Sequence, residues 1–64
     1  MRITVFRRLM TEEFGDIRAG TLMNDHVISS LGGRTPEQAL EAGIPAKDIW
    51  RAVCEEFDVP PERR

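Results

Sequence analysis

The chain contains no tyrosine and only one cysteine, one histidine and one tryptophan. It also has no apolar run long enough for a signal sequence or a membrane span, which leaves the cytoplasm as the expected location. A lone cysteine cannot close an internal disulfide, so packing has to hold the fold. His26 and Cys54 stand singly, without the paired spacing of tetrahedral zinc sites, and no metal is expected. No phosphate-cradling glycine loop, no Ser/His/Asp order and no isolated acid pair in an apolar setting is present. An enzyme is therefore not expected, nor a cofactor. A basic excess is missing as well: nine Lys and Arg face eleven Asp and Glu, a formal charge of -2. A dedicated nucleic-acid module usually carries the opposite balance to neutralise phosphates.

What is present fits a small globule. At 64 residues, with 41% hydrophobic and 31% charged side chains, there is room for one domain near the lower limit for folding without metals or cross-links. The reading is a stand-alone protein rather than a fragment. Phe6, Phe14, Trp50 and Phe57 must supply most of the large burial, with Trp50 and Phe57 expected in the core beside Phe6 or Phe14. Arg2, Arg7 and Arg8 open the chain and Arg63 and Arg64 close it, so the termini form a basic patch if they meet.

Hydrophobic spacing predicts four helices. Thr4 caps the first, about Val5 to Phe14, with Phe6, Leu9, Met10 and Phe14 on one face and Gly15 at its end. Asp16 caps a second, about Ile17 to Leu31, with Ala19, Leu22, Met23, His26, Val27 and Leu31 near one face and Gly32-Gly33 as its stop. Gly20 within it implies a late start or a close backbone contact. Thr35-Pro36-Glu37-Gln38 is a start signal with a hydroxyl cap, Pro in the first turn and Gln closing a capping box. It opens a short helix to about Ala42. After a left-handed turn at Gly43, Pro45 begins a fourth helix to about Phe57, its apolar face made of Ile49, Trp50, Val53, Cys54 and Phe57. Residues 60–64 are expected to be a loose tail.

Ala39, Gly43, Ile44, Ile49 and Ala52 fall on the pattern of a helix-turn-helix, although any short helical corner with a glycine turn asks for a small residue and apolar anchors there. The outer start of its second helix is Ala46, Lys47, Asp48 and Arg51, of which only Lys47 and Arg51 can contact phosphate or guanine. Asp25, His26 and Arg34 make up a second polar group. His26 borders an apolar face, and a structural histidine is the commoner reading there. Arg34 is placed to bridge back to Asp25 or to bind carbonyls at the helix end. Cys54 shares a stripe with Trp50 and Phe57, as a small buried hydrophobe would. Glu12-Glu13 and Glu55-Glu56 read as solvated helix faces.

The motifs Asp25-His26-Val27, Leu31-Gly32-Gly33-Arg34-Thr35, the Glu37 to Gly43 segment, Ile49-Trp50-Arg51-Ala52-Val53-Cys54 and Phe57-Asp58-Val59-Pro60 resemble those of the DUF3046-type family of small actinobacterial proteins of unknown function. The resemblance spans nearly the whole chain and brings no activity, cofactor or catalytic residue with it. It implies a gene neighbourhood beside a recombinase and its regulator, an association with DNA repair that says nothing of mechanism.

The expected architecture is all-α, a compact four-helix single domain over residues 1–64, ordered from about 3 to 59, whose third and fourth helices form a helix-turn-helix-like corner. The expected function is a non-enzymatic cytoplasmic interaction module that binds a protein partner or itself as a homodimer. The alternative is a small DNA-binding or DNA-repair accessory protein. Asp25, His26, Arg34, Lys47 and Arg51 are the candidate interaction surface.

Overall fold

A computed structural model describes residues 1–64. Four α-helices follow one another: α1 over Ile3–Phe14, α2 over Asp16–Asp25, α3 over Pro36–Glu41 and α4 over Ala46–Glu56. Two single 3-10 turns, Ser29–Leu31 and Pro61–Arg63, complete the chain. There is no strand, and the all-α expectation holds. The helices pack α1 on α2, α2 on α3, α3 on α4 and α4 back on α1, within 26 × 23 × 21 Å.

The core draws on every helix. Phe6 and Met10 come from α1, Ala19, Leu22 and Met23 from α2, Ala39 from α3, and Ile49, Trp50, Val53 and Cys54 from α4. The four aromatic residues divide into two edge-to-face pairs. Phe6 meets Trp50 with centroids 6.4 Å apart, and Phe14 meets Phe57 at 5.4 Å. Trp50 is buried as its spacing predicts, whereas Phe57 is only half-buried at the edge of the cluster.

Local chemistry explains the corner between α3 and α4. Thr35 Oγ1 accepts from the Gln38 backbone N–H at 3.1 Å, and Gln38 Oε1 accepts from the Thr35 N–H at 2.9 Å, closing the capping box. Reciprocal satisfaction of two orphan donors lets Thr35 be buried without penalty. At the other end Gly43 adopts φ 85°, its N–H bonds to the Leu40 carbonyl, and the Ile44 N–H reaches back to the Ala39 carbonyl, both at 3.0 Å. This is a Schellman ending, and an L side chain at Gly43 would be strained in it. The chain repeats the device after α4. Asp58 takes φ 53° and the Val59 N–H bonds to the Cys54 carbonyl at 2.9 Å, burying Val59 against the helix end.

Several expected boundaries are corrected. The first helix begins at Ile3 after Arg2, with no side-chain cap, so Thr4 lies inside it. Gly15, rather than Asp16, is the N-cap of α2, and Asp16 sits in its first turn, where a carboxylate complements the helix dipole. Gly20 is helical with open space around the position of a Cβ, so neither a late start nor a close contact accounts for it.

The largest correction is the end of α2, which stops at Asp25 instead of running to Leu31. His26 turns to extended backbone, and Ile28 pairs with Arg34 in an isolated antiparallel bridge, its N–H donating to the Arg34 carbonyl at 3.0 Å. Consecutive β-branched Val27 and Ile28 favour that extended geometry. The switch exchanges their faces: Ile28 is buried and Val27 is 56% exposed. The closing residues are not a loose tail either. Pro61–Arg63 makes a 3-10 turn, and Arg63 grips Glu13 of α1 at 2.9 Å.

Candidate functional site

Lys47, Arg51 and Glu55 recur every four residues and form one exposed stripe along α4. A groove runs on each side of this ridge. The first, about 390 Å³, separates the ridge from the turn that carries Ser30, Leu31, Gly32 and Arg34. The second, about 400 Å³, lies over the buried Trp50 and Cys54, where Met1 and Arg64 bring the two ends of the chain together. The termini therefore meet, as a basic patch requires, but Arg64 is the terminal cation that joins Lys47 and Arg51.

Charge is spent unevenly over the surface. Arg7 donates both guanidinium branches to Glu37 at 3.0 and 3.1 Å, tying α1 to α3. This bond raises the Arg7 pKa beyond its ordinary value. Arg63 is similarly committed to Glu13, and their hydrogen bonds hold the Glu13 carboxyl below the usual carboxylate range. Arg51 lies 3.8 Å from Asp48, one helical turn away. Lys47 has no carboxylate partner, and Arg64 donates only to the backbone carbonyls of Val59 at 2.7 Å and Cys54 at 3.5 Å. The two cations lining the second groove without carboxylates are thus Lys47 and Arg64.

The groove floor has its own peculiarities. Cys54 is fully buried, and desolvation pushes its thiol pKa up against the opposing pull of Arg64. That makes it a poor nucleophile. Trp50 is 5% exposed, and its Nε1–H is the one buried side-chain polar group without an acceptor. A buried donor left unsatisfied costs about 1 to 3 kcal/mol.

Of the five residues expected to form an interaction surface, Arg34, Lys47 and Arg51 adjoin one ridge, and His26 and Asp25 do not join them there. Lys47 and Arg51 share the second groove, and Arg51 and Arg34 share the first. His26 instead turns to the end of α4, where its Nε2 lies 3.1 Å from Glu56 Oε2 and its ring packs 4.8 Å from that of Phe57. Glu56, read as a purely solvated acid, is its tether. Asp25 is exposed and takes part in no ion pair.

The bridge from Arg34 to Asp25 is overturned. Arg34 Nη1 donates to the Leu31 carbonyl at 3.1 Å and lies 2.7 Å from where a Cβ on Gly32 would stand. With α2 ended before the turn, the nearest unfilled acceptors for Arg34 belong to the turn itself. Ala46, read as part of an exposed helix start, is also buried. Sequence reading missed Arg64 and Met1 as groove residues, although the basic character of both ends was the available signal.

The chain belongs to the family described as a protein of unknown function (DUF3046), which it matches over residues 1–62. It is also similar to a Mycobacterium tuberculosis protein named as a candidate envelope-preserving system protein, with 44% identity over 36 residues. That match takes in 56% of this chain and 13% of the relative, so the chain corresponds to a small part of the relative's length. No solved structure matches.

Proposed function

We propose that this member of the family is a non-enzymatic helical interaction module, working in the cytoplasm, that docks a protein partner on the outer face of α4. The observation that carries the reading is the distribution of cations. Arg7, Arg51 and Arg63 face carboxylates, and Arg7 lines a separate cleft with Asp16 and Glu37. Of the remaining cations, Lys47 and Arg64 share one groove with Arg51, Arg34 lines the groove across the ridge, and Arg2, Arg8 and Arg18 line neither, which speaks against the continuous basic face that a phosphate backbone needs. The recurrence of a 36-residue stretch within a far longer relative supports the view of a binding unit that operates beside other machinery. The relative's name adds an envelope-preserving system as one setting in which a partner can be sought. No helix is long and apolar enough to cross a membrane.

A second reading, a small DNA-binding or repair accessory protein, draws support from Lys47 and Arg51 standing exposed on the second helix of the corner. Two such contacts give a salt slope of only about -2. Titration of labelled duplex at two salt concentrations, run beside capture of partners from native lysate, separates the readings. The expected result is no submicromolar duplex binding at physiological salt and a stoichiometric captured protein lost with Lys47→Ala/Arg51→Ala. Tight duplex binding lost in the same variant would replace the protein reading with the DNA reading. A chain that captures only itself would identify the partner as a second copy.

A further inference from the structure

From the charge and shape of the second groove, we infer that its occupant is an acidic peptide segment of the partner, bearing an apolar anchor side chain flanked by carboxylates. The inference rests on the docking role proposed for α4 and specifies the chemistry of what docks.

Three side chains on this groove are cationic, Lys47, Arg51 and Arg64, and one is acidic, Glu55. This local excess occurs on a chain whose formal charge is -2. Lys47 and Arg64 face no carboxylate side chain within the protein, unlike Arg7 on Glu37 and Arg63 on Glu13; Arg2, Arg8, Arg18 and Arg34 are also without one but do not line this groove. The Arg64 guanidinium donates to the Val59 carbonyl just past α4 at 2.7 Å and reaches the Cys54 carbonyl at 3.5 Å, which holds the group at the groove with no acidic side chain paired to it. Lys47 is one helical turn before Arg51 on the opposite stretch of the rim. A carboxylate can thus be met from either side.

Between these charges the apolar surface of the groove is mainly Met1, which is 53% exposed, beside the edge of Trp50, with the fully buried Cys54 beneath it. Its volume of about 400 Å³ is within the range of about 300–1,000 Å³ common for small binding sites and suits one large side chain with its flanking backbone. A nucleic-acid strand is a poorer match, because successive phosphates would run along the ridge past Glu55 and Asp48. An anionic membrane would favour cations spread over a broad face, and here they converge on one groove. A peptide can set its carboxylates at Lys47 and Arg64 and keep them away from Glu55.

The test is titration of the full chain, followed by backbone amide shifts, with a short synthetic peptide carrying a central Phe between Glu residues. Matched peptides with Lys or Gln in place of Glu, a DNA duplex and vesicles with and without anionic lipid serve as competing probes. The Glu peptide is expected to bind and to move the amides of Lys47, Trp50, Arg51, Cys54 and Glu55. Binding should weaken with salt and lose about tenfold or more in affinity in Lys47→Glu and Arg64→Glu, while Arg8→Glu, away from the groove, leaves it unchanged. The inference is overturned if the Gln or Lys peptide binds equally well, if Lys47→Glu and Arg64→Glu have no effect, or if duplex or anionic vesicles claim the same amides more tightly. Failure of the peptide while partner capture still depends on Lys47 and Arg51 would remove the acidic occupant and keep the docking module. Failure of both would remove the module.

Discussion

The Phe6–Trp50 and Phe14–Phe57 pairs have similar edge-to-face geometry, with interplanar angles of 74° and 66°, but opposite surroundings. Phe6 is 0% and Trp50 5% exposed, and the pair joins α1 to α4 through the middle of the core. Phe14 and Phe57 are half-buried at the far ends of the same two helices. There His26 packs on Phe57, and the Arg18 guanidinium lies 5.6 Å from the Phe14 centroid. One pair works by removing area from water. The other joins rings to polar neighbours at a rim, where cation–π and ring contacts are worth about 0.5–1 kcal/mol each. The same two helices thus have a load-carrying end and a tethered end, and the groove at Lys47, Trp50 and Arg64 adjoins the first.

The sharpest way to break this comparison is to truncate one ring from each pair. Phe6→Ala is expected to cost about 3 to 5 kcal/mol, a large share of the roughly 3 to 10 kcal/mol that a domain of this size holds at about 0.05–0.15 kcal/mol per residue. Phe57→Ala should cost only about 1 to 2 kcal/mol, since a half-exposed ring forfeits part of its transfer energy. Urea melts of both variants measure the difference. Equal losses would show that the rim pair is as much core as the deep one.

Within the deep pair, Trp50 carries an opposing term. Trp50→Ala should resemble Phe6→Ala, whereas Trp50→Phe removes the unsatisfied Nε1–H along with the second ring. Its cavity cost is offset by relief of about 1 to 3 kcal/mol of buried-donor penalty, and a net change within about 1 kcal/mol is expected by thermal and urea unfolding. A loss as large as that of Trp50→Ala would show that the N–H has an acceptor, such as an ordered water.

Smaller effects test the rim. His26→Ala should lower stability by no more than about 1 kcal/mol, because a solvent-exposed hydrogen-bond contact with Glu56 and one ring contact are all it forfeits. The measurement to pair with it is hydrogen exchange, which should rise at the end of α4 more than at Trp50. A uniform rise would tie His26 to the whole core.

The smallest effect concerns Glu13, whose carboxyl is held down by Arg63. A folded value below the unfolded one means that the pair favours folding above the unfolded pKa. That contribution fades as pH falls through the folded value. Carboxyl titration by NMR should place Glu13 below the ordinary glutamate range and return it there in Arg63→Ala. An unchanged midpoint would show that the closing turn does not grip α1.

Particular residues show where the sequence was legible. Thr35, Pro36, Gln38 and Gly43 marked α3 at both ends because capping boxes and left-handed turns act within a few residues of chain. Val27 and Ile28 were misassigned because their spacing also fits a helix, and the choice fell to a bridge with Arg34 across a turn. Among the candidate site residues, Lys47 and Arg51 were legible as an exposed stripe. The destinations of His26 and Arg34 were not, since Glu56 is thirty residues from His26 and the choice of Arg34 between Asp25 and a turn carbonyl depended on where α2 ended.

The sequence by itself determined the all-α class, the four helices, the capped α3–α4 corner and the burial of Trp50 and Cys54. All of these follow from periodicity, glycine and proline placement, and side-chain volume, which act over one or two helical turns. Only the tertiary structure decided which cations are consumed and which remain. Arg7 found Glu37 thirty residues away and Arg63 found Glu13 fifty residues away, while Arg64 came to rest beside Lys47 and Trp50. Such pairings depend on how packed helices bring distant carboxylates within a few ångströms, and the Coulomb interaction that selects them is set by that separation and by exposure to water.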